Sequence, residues 1–130
     1  MMPTLSVIAE SIPVEEFRLF LKNKALKPMD NYDGHFANTK DTLWIKLLNT
    51  ELESIRKDSP AVWETICLFF PSEPQTNIII DVGRTDESKQ LAIELVQAMG
   101  ERWKIILLDD YFNVYSDQDI KTLRSTDLEW

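Results

Sequence analysis

The sequence predicts an α+β fold: a mixed sheet with helices mainly on one face, ferredoxin-like in spirit, with a helical insert in the middle. Three observations predict it. Residues 77–82 (NIIIDV) and 104–108 (KIILL) are near-continuous apolar runs of the kind that form strands buried on both faces. Between them, Leu91, Ala92, Leu95 and Met99 recur at helical spacing. Upstream, Leu43, Ile45 and Leu47 alternate with Trp44, Lys46 and Leu48, the period-two pattern of a strand with one apolar face. At 130 residues, 44% hydrophobic and 28% charged, residues 1–130 make one globular domain rather than a disordered chain or a disulfide scaffold.

Each element follows from its own chemistry. Residues 5–9 (LSVIA) are β-branched at their centre and give a first strand. Ser11-Ile12-Pro13 starts a helix, with Glu15 and Glu16 at the positive end of its dipole. Val14, Phe17, Phe20 and Leu21 form its apolar stripe; Arg18 and Lys22 fall opposite. Residues 23–34 read as loop, with turns at Lys27-Pro28 and residues 31–34. Residues 35–37 and 42–48 then pair as a hairpin across residues 38–41.

A helical stretch follows. Asn49 or Thr50 caps a helix over residues 51–57, with Leu52 and Ile55 on one side. Ser59-Pro60 starts a second, carrying Val62, Ile66 and Phe69 or Phe70 until Pro71 stops it; a strand over residues 65–70 competes for the same apolar run. After the strand at 77–82, Thr85 or Asp86 caps the helix that bears Leu91, and Gly100 ends it. The strand at 104–108 leads to Asp109-Asp110, then to a short edge strand at residues 113–115. Ser116 caps a last helix bearing Ile120, Leu123 and Leu128. Strands joined by crossover helices can lie parallel, whereas a hairpin adds antiparallel neighbours, hence a mixed sheet. The helices are too few to cover both faces of a doubly wound sheet.

Composition excludes several function classes. Fourteen Lys plus Arg against twenty-two Asp plus Glu give a formal charge of −8, which repels nucleic acid and anionic membranes. The lone cysteine, Cys67, lies in an apolar run and forms no internal disulfide. The first residues lack the basic and apolar blocks of a secretory signal, and no run approaches a bilayer span of ~20 residues, so a cytoplasmic protein is expected.

Motifs for chemistry are sparse. Residues 81–85 (DVGRT) join a strand to a helix, the context of an anion-binding loop, but they hold one glycine and lead into Asp86 and Glu87, which repel phosphate. A strand-to-helix turn is the simpler reading. Asp81, Asp109 and Asp110 end buried strands, and a metal-dependent hydrolase built on them is one alternative. Asp also caps turns, so no metal and no cofactor are expected. Nucleophilic catalysis requires His35 with Cys67, yet the apolar surroundings raise the thiol pKa, the wrong direction for a nucleophile. One Cys and one His do not close a zinc site. Trp44, Trp63 and Trp103 lie beside core residues; Trp130 is either mobile or docked on another subunit.

Charge distribution carries the functional expectation. Residues 109–130 hold six acids and two bases, half of the formal charge of −8. Asp109, Asp110, Asp117 and Asp119, with Tyr111 and Tyr115 threaded between them, form the expected partner-binding surface for a basic protein. Phe112 lies among them, and Asp127 and Glu129 complete the acidic set. A merely solvated acidic face is the plainer alternative. A structural homo-oligomer, joined through Trp44 or the C-terminal edge, is a further one.

Residues 77–82, Asp86-Glu87-Ser88, Leu91 to Leu95, Glu101-Arg102-Trp103, residues 105–109 and Val114-Tyr115-Ser116, together with Leu43-Trp44-Ile45, resemble small acidic bacterial α+β proteins of uncharacterised function. The likeness covers about half of the chain and implies a fold rather than a mechanism. Similar acidic α+β proteins include toxin-immunity partners, a loose analogy. The charge asymmetry and the lack of catalytic motifs carry the expectation of a non-enzymatic protein-binding module of immunity or regulatory type.

Overall fold

The computed structural model describes residues 3–23, 27–28, 35–37, 43–47, 49–128 and 130, with the backbone alone at 27–28 and 35–37. The elements run β1 (Thr4–Ala9), α1 (Val14–Asn23), β2 (Lys27–Pro28), β3 (His35–Ala37), β4 (Leu43–Leu47), α2 (Glu51–Asp58), α3 (Pro60–Cys67), β5 (Thr76–Val82), α4 (Asp86–Arg102), β6 (Ile106–Leu108), β7 (Val114–Tyr115) and α5 (Asp117–Lys121). A 3-10 turn at Ser125–Asp127 follows. The fold is α+β. The expected turns at residues 31–34 and 38–41 lie outside the described residues, as do Leu48 and Glu129.

One sheet holds the strands in the order β2-β3-β4-β5-β1-β6-β7. Each described ladder is antiparallel, which corrects the mixed sheet expected from the crossovers. The reason lies in the placement of β1. β5 and β6 are joined by α4 and run the same way, but β1 lies between them and pairs antiparallel with both. A crossover therefore joins strands of one direction without making them hydrogen-bonded neighbours. Lys27-Pro28, which has turn chemistry, instead forms a short strand at the sheet edge, the position where sheets tolerate proline.

Helices cover both faces, a second correction. On the main face Leu5, Val7, Leu43, Ile45, Ile78, Ile80, Val82 and Leu107 pack under α1 and α4, which contribute Phe17, Phe20, Leu21, Ala92, Ile93, Val96 and Met99. Ile120 of α5 joins them, and Leu123 and Leu128 extend this core beyond the helix. On the opposite face Ile8, Ile106 and Leu108 pack against Leu52 and Ile55 of α2, Ile66 of α3, and Phe70. The apolar run at 66–70 begins within α3 and ends in a turn, so the helical reading holds over the competing strand.

Local chemistry explains the element boundaries. Thr85 Oγ1 accepts from Ser88 N at 3.1 Å and caps α4. Ser116 and Asp119 form a reciprocal capping box on α5. Thr50 makes no side-chain cap on α2; Asn49 Oδ1 instead accepts from Asn77 N at 2.9 Å and ties the start of that helix to β5. Gly100 does not end α4, which continues to Arg102. Trp103 stacks edge-on against Phe20 and Phe17, at 5.2 and 6.4 Å between ring centroids. Trp130 packs against the main core and donates Nε1–H to Ser125 O at 2.7 Å, so it docks on its own chain. Among the described residues no helix is long and apolar enough to cross a membrane.

Candidate functional site

The β6–β7 connection is built around one buried carboxylate. Asp109 is 5% exposed, and burying an ionised carboxyl is costly unless its oxygens are bonded. They are. Oδ1 accepts from Tyr111 N at 2.9 Å and Asn113 N at 3.0 Å; Oδ2 accepts from Asn113 Nδ2 at 2.9 Å and the Tyr115 hydroxyl at 3.1 Å. The backbone closes the same turn, with Phe112 N donating to Asp109 O at 3.1 Å and Asp109 N to Asn113 O at 3.3 Å.

Phe112, at the crest of that turn, has φ of 60°. The left-handed region costs a non-glycine residue roughly 1–2 kcal/mol, so the surrounding bonds must hold it there. The result is a tip from which Tyr111 and Phe112 project, 62% and 48% exposed. Asp110 beside them is exposed, yet both of its oxygens accept from Thr4 N at 3.1 Å, fastening the tip to β1. The Thr4 hydroxyl donates in turn to Asp81 at 2.9 Å.

The six residues expected to form one partner-binding surface therefore divide. Asp110 and Tyr111 lie on the exposed tip. Asp109 and Tyr115 turn inward: Asp109 is consumed by the turn, and Tyr115 is half-buried and packs against the main core. Asp117 and Asp119 begin α5, beyond the far end of β7 from the tip; Asp119 accepts from Ser116 N at 3.1 Å. Asp127 accepts from Arg124 N at 2.9 Å. Much of the acidity of this segment thus serves backbone N–H groups, which a charge count alone does not reveal. Phe112, threaded among the expected acidic residues, joins Asp110 and Tyr111 on the tip, and Thr4 of β1, which the sequence does not single out, fastens it. A positive φ at phenylalanine has no sequence signal, whereas Asp109 two residues before Tyr111 has the spacing of an Asx turn.

Other chemistries find less support. Among the described residues no three His, Cys, Asp or Glu side chains are grouped to hold a metal ion. Asp81 and Asp110 approach each other only through Thr4, and Asp109 is engaged in its own turn. The turn after β5 serves to cap α4 through Thr85. Cys67 is half-buried rather than fully buried; burial pushes its thiol pKa up, Glu73 adds to the rise, and Arg56 opposes it. The side chain of His35 lies outside the described residues. Trp44 is half-buried on the polar side of β4, and Trp63 packs beside the smaller core. Set against family models, curated proteins and solved structures, the chain matches none of them.

Proposed function

We propose that this chain is a non-enzymatic protein-binding module that docks a basic protein through the β6–β7 tip. The observation that carries the reading is the exposure of two adjacent aromatic rings, Tyr111 and Phe112, on a turn fixed by a saturated buried carboxylate. Aromatic anchors of this kind dominate binding energy at interfaces. The formal charge of −8 supports a basic partner, because opposite charge speeds encounter and like charge excludes wrong partners. The same charge disfavours a second copy as the occupant. Asp110 supplies negative charge beside the rings, while Asp117 and Asp119 contribute to the field from the start of α5. A toxin-immunity or regulatory role in the cytoplasm, in which negative charge covers a basic target, is the concrete form of the proposal.

The test compares the full chain with the Tyr111→Ala/Phe112→Ala double variant as baits at low salt. A protein retained by the first and lost by the second is then purified and titrated against both. The expected partner is basic, binds the double variant about 30-fold or more weakly, and loses affinity as salt rises. Equal binding to both baits, or a partner indifferent to salt, refutes the proposal.

A further inference from the structure

We infer that Asp109 is a positioning residue: out of a partner's reach, it presents Tyr111 and Phe112 in one conformation before any partner arrives. The inference rests on reading the tip as the docking surface, and it deepens that reading by making the surface preformed rather than ordered on contact.

The bonding pattern carries it. Asp109 Oδ1 accepts from the amides of Tyr111 and Asn113, which flank Phe112 on either side, while the amide of Phe112 donates to the Asp109 carbonyl. Three successive amides thus converge on one residue, and Phe112 is held at φ 60° between them. The other oxygen, Oδ2, is pinned by Asn113 Nδ2 and the Tyr115 hydroxyl, so the carboxylate has little freedom to rotate and release them. Asp110 fastens the same turn to β1 through Thr4 N. A preordered anchor loses little conformational freedom on binding, so more of its contact energy appears as affinity. An asparagine at position 109 keeps an acceptor for the two backbone amides but turns an NH₂ toward the Asn113 NH₂, donor against donor.

Amide hydrogen exchange on the full chain tests this without a partner. In Asp109→Asn, exchange at the amides of Tyr111 and Asn113 is expected to speed up about 10- to 100-fold while the β5 amides of Ile79 and Ile80 keep their wild-type rates. Asn113→Ala and Tyr115→Phe each remove one Oδ2 donor; about tenfold or smaller increases are expected at the same two amides. If Asp109→Asn unfolds the chain, seen as lost protection in β5, the two milder variants decide. Unchanged tip exchange in the folded variants overturns the inference, as does wild-type exchange at Tyr111 and Asn113 as fast as in an unstructured peptide.

With a captured partner in hand, Asp109→Asn should weaken binding in the wild-type background and have no further effect once Tyr111 and Phe112 are both alanine. A loss of equal size in both backgrounds marks a merely structural role and overturns the inference. Should the aromatic substitutions leave partner binding unchanged while Asp109 still orders the tip, the docking reading falls and the ordering stands. Should they abolish binding while Asp109→Asn changes neither exchange nor affinity, the inference alone falls.

Discussion

The two faces of the sheet are covered to different depths. Under α1, α4 and α5 the main face is apolar across β4, β5, β1 and β6, and its side chains interlock with Phe17, Phe20, Leu21, Val96 and Met99. The opposite face is apolar chiefly where α2 and α3 lie, over Ile8, Ile106 and Leu108. Elsewhere on that face Trp44, Lys46, Thr4, Ser6 and Asp81 are only half-buried. Trp44, Asp81 and Thr4 are directly opposed across β4, β5 and β1 and make one half-buried row, while in the next row Lys46 and Ser6 flank the buried Ile79. The lesser face is thus apolar where Ile8, Ile106 and Leu108 meet α2 and α3, and half-buried and mostly polar along the Trp44–Asp81–Thr4 row.

The largest test of that difference sets Ile80→Ala on the main face against Ile66→Ala on the smaller one, both isoleucines being fully buried. Truncation of a buried isoleucine costs about 2–5 kcal/mol, the upper part of that range where surrounding groups cannot collapse into the void. Ile80, on the central strand β5, should lie near the top, about 4 kcal/mol in urea unfolding. Ile66, on a two-helix cover that can shift, should lie near about 2 kcal/mol. Equal losses would show that the two clusters behave as one rigid core.

Helix capping sharpens the same contrast at a smaller scale. Thr85 caps α4 with a real hydrogen bond, whereas Thr50 at the start of α2 makes none. Thr85→Ala should cost about 1 kcal/mol of stability and Thr50→Ala close to nothing. A loss at Thr50 comparable to that at Thr85 would mean that α2 draws on its first turn in a way its geometry does not show.

Much of the secondary structure was legible because its signals are local. The alternation of Leu43 and Ile45 with Trp44 and Lys46 matches the buried and half-buried sides of β4, and Ser116 and Thr85 are caps. Sheet topology was less legible, because the insertion of β1 between β5 and β6 is a long-range event that no window of residues encodes. Helices on both faces were nevertheless implied by NIIIDV: Ile78 and Ile80 point one way and Ile79 the other, and all three are buried. The β6–β7 tip was legible in part. Asp110 and Tyr111 were named, but a count of carboxylates does not separate an exposed charge from one spent on backbone amides, and Asp109 is the second kind.

Gly100 offers a gain rather than a loss. Inside α4, a glycine costs about 0.5–1 kcal/mol relative to alanine. A Cβ there would meet Ile120 Cγ2 at 3.6 Å and Ile105 at 3.9 Å, ordinary contact distances that fill space between α4 and α5. Gly100→Ala should therefore raise stability on the main face by about 0.5–1 kcal/mol, seen as a higher urea midpoint with an unchanged slope. A fall would show that the added methyl costs the packing of α4 against Ile105 and Ile120 more than the helix gains.

The smallest effect belongs to Cys67, the half-buried last residue of α3 in the lesser cover. Its thiol pKa is raised, first by burial and then by the negative charge of Glu73, against the opposing pull of Arg56. In the folded chain the proton is therefore held to higher pH than in the unfolded chain. The stability contributed by the neutral thiol is intact below the ordinary thiol range and falls as pH climbs through the raised folded value. Between neutral and strongly alkaline pH, the native chain should lose slightly more stability than Cys67→Ala, and a thiol reagent at mildly alkaline pH should label the folded chain more slowly than the urea-unfolded one. Because α3 belongs to the smaller cluster, the alkaline loss should appear first as lower amide protection in α2 and α3, relative to each amide's own base-catalysed rate and to Cys67→Ala. Protection that falls equally in α4 would place the thiol's proton in the energetics of the whole sheet, and the two covers would then be coupled.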